Sequence, residues 1–193
     1  MINTNKIKQI IDFQSDARRG NVEKLPLGAV NYYTTDKPVI ASNGEGTAIF
    51  RPEYSYSKKM GVFPSANFRV DTFIVCVKKV IKYSEMDFLD IHLDKMARQF
   101  AAAETAEVIK RIRAVEDVIY APSDDVVRLQ KFFDDLNRPV AVLQQGKIVD
   151  MGNNFNLVVR TDLCAEIFDE PLQMRKIIAL WEDVGFFCDV DVN

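Results

Sequence analysis

The stretch from Ser84 to Arg113 constrains this chain more than any other. Its pattern predicts one helix of about 30 residues, roughly 45 Å long at 1.5 Å per residue. Ser84 stands before Glu85, Met86 and Asp87, so a hydroxyl is placed to cap the first turn, with an acid three residues on to answer it. Acids gather at the start (Glu85, Asp87, Asp90) and bases at the end (Lys110, Arg111, Arg113), as the helix dipole favours. Between them Met86, Leu89, Leu93, Met96, Phe100 and Ala103 recur at steps of three and four, which makes a single apolar stripe. Ala101 to Ala103 and Ala106 are small, so another element can approach the backbone closely along the second half. A helix of this length crosses a whole face of a sheet or pairs with another chain.

The residues before the helix read as its strand. From Phe68 to Ile81, Val70, Thr72, Ile74 and Cys76 alternate with Asp71, Phe73, Val75 and Val77, and Lys78, Lys79 and Lys82 mark the end. This strand enters the helix through Tyr83 and Ser84, making strand followed by spine helix the core unit of the fold. Further upstream, Pro38 to Ala41 and Thr47 to Phe50 flank Ser42-Asn43-Gly44-Glu45-Gly46, and Asn-Gly between such runs signals a β-hairpin. The hairpin strands lack large apolar residues on a consistent face, so the hairpin is expected to protrude rather than pack on its own core. A phosphate-binding glycine loop would need a Lys-Ser/Thr and a following helix, and neither is present.

Asn3 to Arg18 carries Ile7, Ile10 and Ile11 at helical spacing, with Gly20 as a stop. Standing before the turn-like Leu25-Pro26-Leu27-Gly28, it reads equally as an arm that docks elsewhere and as a terminal helix of the same domain. Beyond the spine, Ser123-Asp124 starts a second helix with Leu129, Phe132, Phe133 and Leu136 on one face, closed by Asn137 and Pro139. Val140 to Leu143, Lys147 to Met151 and Asn156 to Arg160 read as short strands of an α/β lobe. Asp169-Glu170-Pro171 can open a helix, but Arg175 to Trp181 and Gly185 to Val192 read better as two strands turning at Glu182 to Gly185.

Composition narrows the class. The chain has 193 residues, 48% hydrophobic and 27% charged, which suits one globular domain or a domain with a lobe. The sequence carries neither an apolar run of membrane-spanning length nor a signal-peptide core, so a soluble protein made in the cytoplasm, without a membrane partner, is expected. Cys76, Cys164 and Cys188 are odd in number and set among apolar neighbours, which points to buried free thiols rather than a disulfide framework. Charge is uneven along the chain: residues 1–82 hold 13 Lys+Arg against 7 Asp+Glu, and residues 83–193 hold 12 against 21. Such a split suits a basic face for nucleic acid, complementary surfaces between subunits, or ordinary solvated surface.

Candidate chemistry is sparse. His92, the single histidine, lies in the long helix beside Asp90 and Asp94, yet a general base needs a nucleophile and a pocket that the sequence does not supply. Asp87, Asp90 and Asp94 share one helix face and could hold a divalent cation, but acids there also suit the positive end of the dipole. Asp189, Asp191 and Asn193 fall on one side of the last strand, where a solvated polar edge explains them equally. Tyr54, Tyr56, Lys58 and Lys59 form a mixed aromatic and basic patch of the kind that stacks on bases or pairs with phosphates, and snorkelling loop side chains account for it too. Zinc spacing, a nucleophile elbow and a dinucleotide fingerprint are all missing from the sequence. No catalytic, cofactor-binding or metal-ligating residue is therefore expected in this sequence, nor an enzyme or a cofactor.

The order of parts resembles the HK97-like fold of tailed-phage major capsid proteins and encapsulin shells. The stretches Phe68-Arg-Val-Asp-Thr-Phe-Ile-Val and Asp90-Ile-His-Leu-Asp-Lys-Met-Ala-Arg-Gln-Phe carry the resemblance most clearly. It implies an α+β fold with an N-terminal arm (1–26), an extended β-hairpin loop (27–67), a peripheral-type subdomain with the long spine helix on a β-sheet (68–116 and 172–193), and a small α/β axial lobe (117–171). It also implies a structural shell protein that self-assembles into an icosahedral capsid in many copies, in a bacteriophage virion assembled in the host cytoplasm. Its partners would be other copies of the chain, other virion proteins and packaged nucleic acid held through nonspecific phosphate contacts. The alternatives are a small α/β enzyme with a carboxylate-based or metal-assisted site around Asp87, Asp90, His92 and Asp94, or a nucleic-acid-binding adaptor using Lys58, Lys59 and the Lys78 to Lys82 cluster.

Overall fold

Phe68–Lys82 form one strand of 15 residues, β3, apolar on both sides of its central part. A computed structural model describes residues 2–19, 21–24, 45–50, 68–113, 119–120, 141–144, 147–151, 155–159 and 162–189. In it both faces of β3 are covered: Phe73, Val75, Val77 and Ile81 are buried on one side, and Ile74, Cys76 and Lys78 on the other. A strand that alternates apolar with apolar, rather than apolar with polar, belongs at the centre of a sheet, and β3 is central. Along its full length it pairs antiparallel with β9 (Arg175–Asp189), from Phe68 opposite Asp189 to Lys82 opposite Arg175.

The other edge of β3 carries β2 (Gly46–Phe50), antiparallel, with Gly46 opposite Lys78 and Phe50 opposite Ile74. The stretch 38–41, expected to be the other strand of that hairpin, lies outside the described residues, as do the patch at Tyr54 to Lys59 and the helix expected over 124–137. Beyond β2 the Glu45 carboxylate accepts a hydrogen bond from the Val80 N–H at 2.9 Å, satisfying a β3 donor past the end of the β2 pairing. The far edge of β9 is shared by two strands in succession. β7 (Phe155–Val159) pairs with Val184 to Cys188, and β8 (Cys164–Glu170) pairs with Arg175 to Trp181. β1 (Asn21–Lys24) then adds to β7 in parallel. The result is a six-stranded, mainly antiparallel sheet.

Two features of this sheet depart from the sequence reading. Glu182 to Gly185, read as a turn between two strands, lie inside continuous β9, where Gly185 is flanked by Thr72 on one side and Val158 on the other. Their turn-like composition is overridden by pairing on both edges of the strand. β7 and β8, both within the 117–171 stretch read as a separate lobe, hydrogen-bond into the large sheet. Among the described residues, only β4 (Ile119–Tyr120), β5 (Ala141–Gln144) and β6 (Lys147–Met151) form a sheet of their own, and Ile148 of β6 is buried in the main core.

The long helix is shorter than its sequence pattern. Residues Tyr83–Phe88 form a 3-10 turn, and the α-helix proper, α2, runs Leu89–Arg113, about 37 Å at the standard rise. Ser84 is not its cap. Glu85 instead turns its carboxylate back to the Lys82 N–H, 3.2 Å away, at the corner where β3 ends. The expected stripe does face the sheet: Leu93, Met96 and Phe100 are buried against Phe73, Val75, Val77, Ile178, Leu180 and Val184, with Met86, Leu89 and Ala103 partly buried at the margin.

The N-terminal helix, α1 (Thr4–Gln14), starts at Asn3, whose side chain accepts the Lys6 N–H at 3.2 Å, and is followed by a 3-10 turn over Asp16–Arg19. Its Ile7 and Ile11 are 1% and 0% exposed and belong to the same core as Phe100. Of the two readings of this segment, the packing is that of a terminal helix on its own domain, because burying two isoleucines stabilises it by about 1.5–3 kcal/mol each relative to an exposed arm.

Candidate functional site

The chain buries a cluster of charges where the 3-10 turn after α1, the middle of α2 and the centre of β9 meet. Arg18 reaches inward from the turn. Its Nε and Nη2 donate to the two oxygens of Glu104 on α2 at 2.9 and 2.8 Å, a bidentate pair. Nη2 also donates to Glu182 Oε2 on β9 at 2.9 Å, and Nη1 to Asp12 Oδ1 on α1 at 2.6 Å. The side chains of Glu104 and Glu182 are fully buried, and only Asp12 is open to water. Ser15 completes the Glu104 end by donating its hydroxyl to Oε2 at 2.5 Å, while Thr105 Oγ1 accepts the Asp16 N–H at 3.1 Å.

Local geometry explains why these residues meet. Glu104 follows Phe100 by one helical turn, so it sits on the apolar stripe of α2. Glu182 falls between Leu180 and Val184 on the core-facing side of β9, where that strand's outer partner changes from β8 to β7. Each carboxylate thus occupies a core position, and each requires a buried cation. Arg18 is that cation. Burial by itself would lower its pKa, but the Glu104 and Glu182 charges and hydrogen bonds hold it well above its ordinary value. Glu182 is pushed up to about 7, chiefly by burial, with Arg18 opposing the shift. Its second oxygen, Oε1, is buried without a hydrogen-bond partner among the described residues.

A carboxyl titrating near neutrality has the acidity of a general acid or base. The Glu182 side chain is, however, fully enclosed and out of contact with solvent. What the cluster does is fasten three elements together in a charge-dependent way. A second, smaller pair lies further along α2, where Arg111 Nη2 sits 2.9 Å from Glu107 and its guanidinium lies 4.5 Å above the Phe73 ring.

The positions weighed from sequence lie elsewhere. Asp87 and Asp90 are exposed at the start of the helix, and Asp94 pairs with Lys6 of α1 at 3.3 Å. His92 is half-buried, and its buried Nδ1 has no hydrogen-bond partner among the described residues. Among the described residues no group of three or more His, Cys, Asp or Glu side chains is placed to hold a metal. The Lys78 to Lys82 cluster is not one basic surface, because Lys78 is buried on the sheet face opposite the helix while Lys82 is exposed. Cys76 and Cys164 are free thiols whose pKa values are raised, mainly by burial. The backbone of Asp189 ends β9, and Asp191 and Asn193 lie outside the described residues.

At the opposite end of the sheet, the β3–α2 corner meets the turn between β8 and β9, bordering a recess of about 510 Å³ that includes Tyr83, Ser84 and Arg175. Tyr83 donates its hydroxyl to Asp169, which holds the phenol above its ordinary pKa, and the Tyr83 N–H donates to the Met174 carbonyl at 2.9 Å. Met174 adopts a left-handed backbone with φ of 50°, and Leu172 beside it is fully exposed.

The described residues thus define an α+β domain with a long helix on a largely antiparallel sheet, fastened by a buried arginine. No protein-family model matches the chain, and no curated protein matches it. Among the described residues no helix is long and apolar enough to cross a membrane.

Proposed function

We propose that this chain is a structural shell protein of the HK97-like type, self-assembling in many copies into an icosahedral capsid that encloses a viral genome. The observation that carries the reading is the route of the chain through its central unit. A 15-residue strand turns directly into a long helix, that helix lies back across the sheet, and a second 15-residue strand much later in sequence pairs with the first along its whole length. A spine helix supported in this way suits a subunit whose loops and lobe engage neighbouring copies.

The exposed apolar side chains add support. Leu172 (100% exposed), Phe13 (80%) and Met174 (63%) stand out from the surface at two separate ends of the domain, and large apolar groups in water favour burial against a partner. The N-terminal helix takes a different part from the one a docking arm would play, because residues 4–19 hold the subunit's own core.

The test is direct. Purified chain should sediment as particles of very high mass and show closed shells by negative-stain microscopy. A sharp monomer or dimer peak across a range of salt and concentration would refute the proposal.

A further inference from the structure

We infer that the Arg18 cluster is a pH-operated latch on the N-terminal segment: proton uptake by Glu182 closes the Arg18 turn onto α2 and β9, and proton loss loosens it. The donor count selects Glu182. The Arg18 guanidinium spends Nε and Nη2 on Glu104, Nη2 also on Glu182 and Nη1 on Asp12, and Ser15 gives Glu104 a further donor. Both Glu104 oxygens are therefore satisfied, whereas Glu182 keeps Oε1 buried and, among the described residues, without a donor. The charge count agrees, since one guanidinium cannot neutralise three carboxylates, two of them out of contact with water.

The groups facing Glu182 from each neighbouring element act in known directions. From α1, Lys8 attracts a negative charge on Glu182; from the turn, Arg18 attracts it; from α2, Glu104 repels it. On β8 the Cys164 thiol, itself pushed upward, is a neutral neighbour at and below neutral pH. Burial outweighs the attractions, so Glu182 holds its proton up to about pH 7 while the latch is closed. Opening the turn removes Arg18 and lets water reach the carboxyl, whose ordinary value is 4.5. Acid therefore favours the closed state and neutral-to-alkaline pH favours the open one. The inference concerns the single chain and does not rest on shell formation.

Hydrogen–deuterium exchange of the full chain reads the latch through the amides of α1, with protection factors corrected for the intrinsic pH dependence of exchange. Between pH 5.5 and 7.5 a carboxyl moving from about 7 to its ordinary value lowers α1 protection about 20-fold relative to the core of β3. Glu182→Gln should abolish that slope, and a His92→Gln control should retain it, which separates Glu182 from the chain's one histidine. A flat wild-type profile, or a slope that survives Glu182→Gln, overturns the inference. Infrared titration of the wild-type chain with 13C-labelled glutamate supplies a test that needs no variant. A protonated glutamate band should persist to about pH 7, and its loss by pH 5 overturns the inference as well.

Discussion

Replacing Arg18 with methionine keeps most of the side-chain volume and removes the only cation that, among the described residues, is hydrogen-bonded to Glu104 and Glu182. Both acids are fully buried, and breaking a buried ion pair by deleting one partner costs about 3–5 kcal/mol, because the remaining charge is left uncompensated. Against a domain stability of about 5–15 kcal/mol, Arg18→Met should lower the urea midpoint sharply at pH 7.5, read by far-UV circular dichroism. The deficit should shrink as pH falls toward 5, since Glu182, already pushed up to about 7 by burial and in the variant without its counter-charge, can be neutralised by a proton. Exchanging all three groups for apolar ones (Arg18→Met, Glu104→Leu and Glu182→Leu) should recover most of the loss, as a well-packed apolar replacement of a buried ion triad is often neutral or stabilising. A loss under about 1 kcal/mol for the single variant, or a triple variant no more stable than the single, would refute the account of Arg18 as the charge that makes this core possible.

Other outcomes follow from the same structure. Glu182 has a folded-state pKa raised to about 7 from 4.5, so its contribution is fully present below pH 4.5 and lost as pH rises through 7; the stability difference between Glu182→Gln and wild type should grow by about 3 kcal/mol over that window in equilibrium unfolding. Ile7→Ala and Ile11→Ala should each cost about 2–4 kcal/mol by denaturant titration, because both side chains are buried under α2; near-zero effects would return α1 to the role of a free arm. Met174→Gly should raise the unfolding free energy slightly, by about 0.5 kcal/mol in denaturant titration, since glycine accepts the left-handed backbone without strain, while Met174→Val should lower it.

How much of this was legible in the sequence depended on whether the deciding interaction was local. β3 was readable because its apolar alternation covers both faces, and α2 because its stripe repeats over many turns. The corner between them was misjudged at Ser84, where a strand arriving directly at the helix leaves Glu85, not the serine, to satisfy the Lys82 N–H. Glu182 to Gly185 carried turn composition and form strand, for their neighbours Thr72 and Val158 are distant in sequence. The charge cluster was missed because Arg18 is 86 residues from Glu104 and 164 from Glu182. A signal for it was nevertheless present: Glu104 interrupts the helix stripe one turn after Phe100, and Glu182 interrupts the alternation of Ile178, Leu180 and Val184. A charge standing where the periodicity demands an apolar group announces a buried partner without saying which one.

The full-length pairing of β3 with β9 also governs how the chain reaches this structure. About 100 residues separate the two strands, so at a synthesis rate of about 5–20 residues per second β3 emerges roughly 5–20 seconds before the strand that will cover its edge. During that interval a stretch apolar on both faces has α2 as its next neighbour in the chain, and a long helix forms within microseconds. The spine therefore acts during biogenesis as a shield, holding an aggregation-prone strand against itself until β9 arrives. Substitutions that weaken α2 should lower the yield of soluble chain more than the stability of the finished fold.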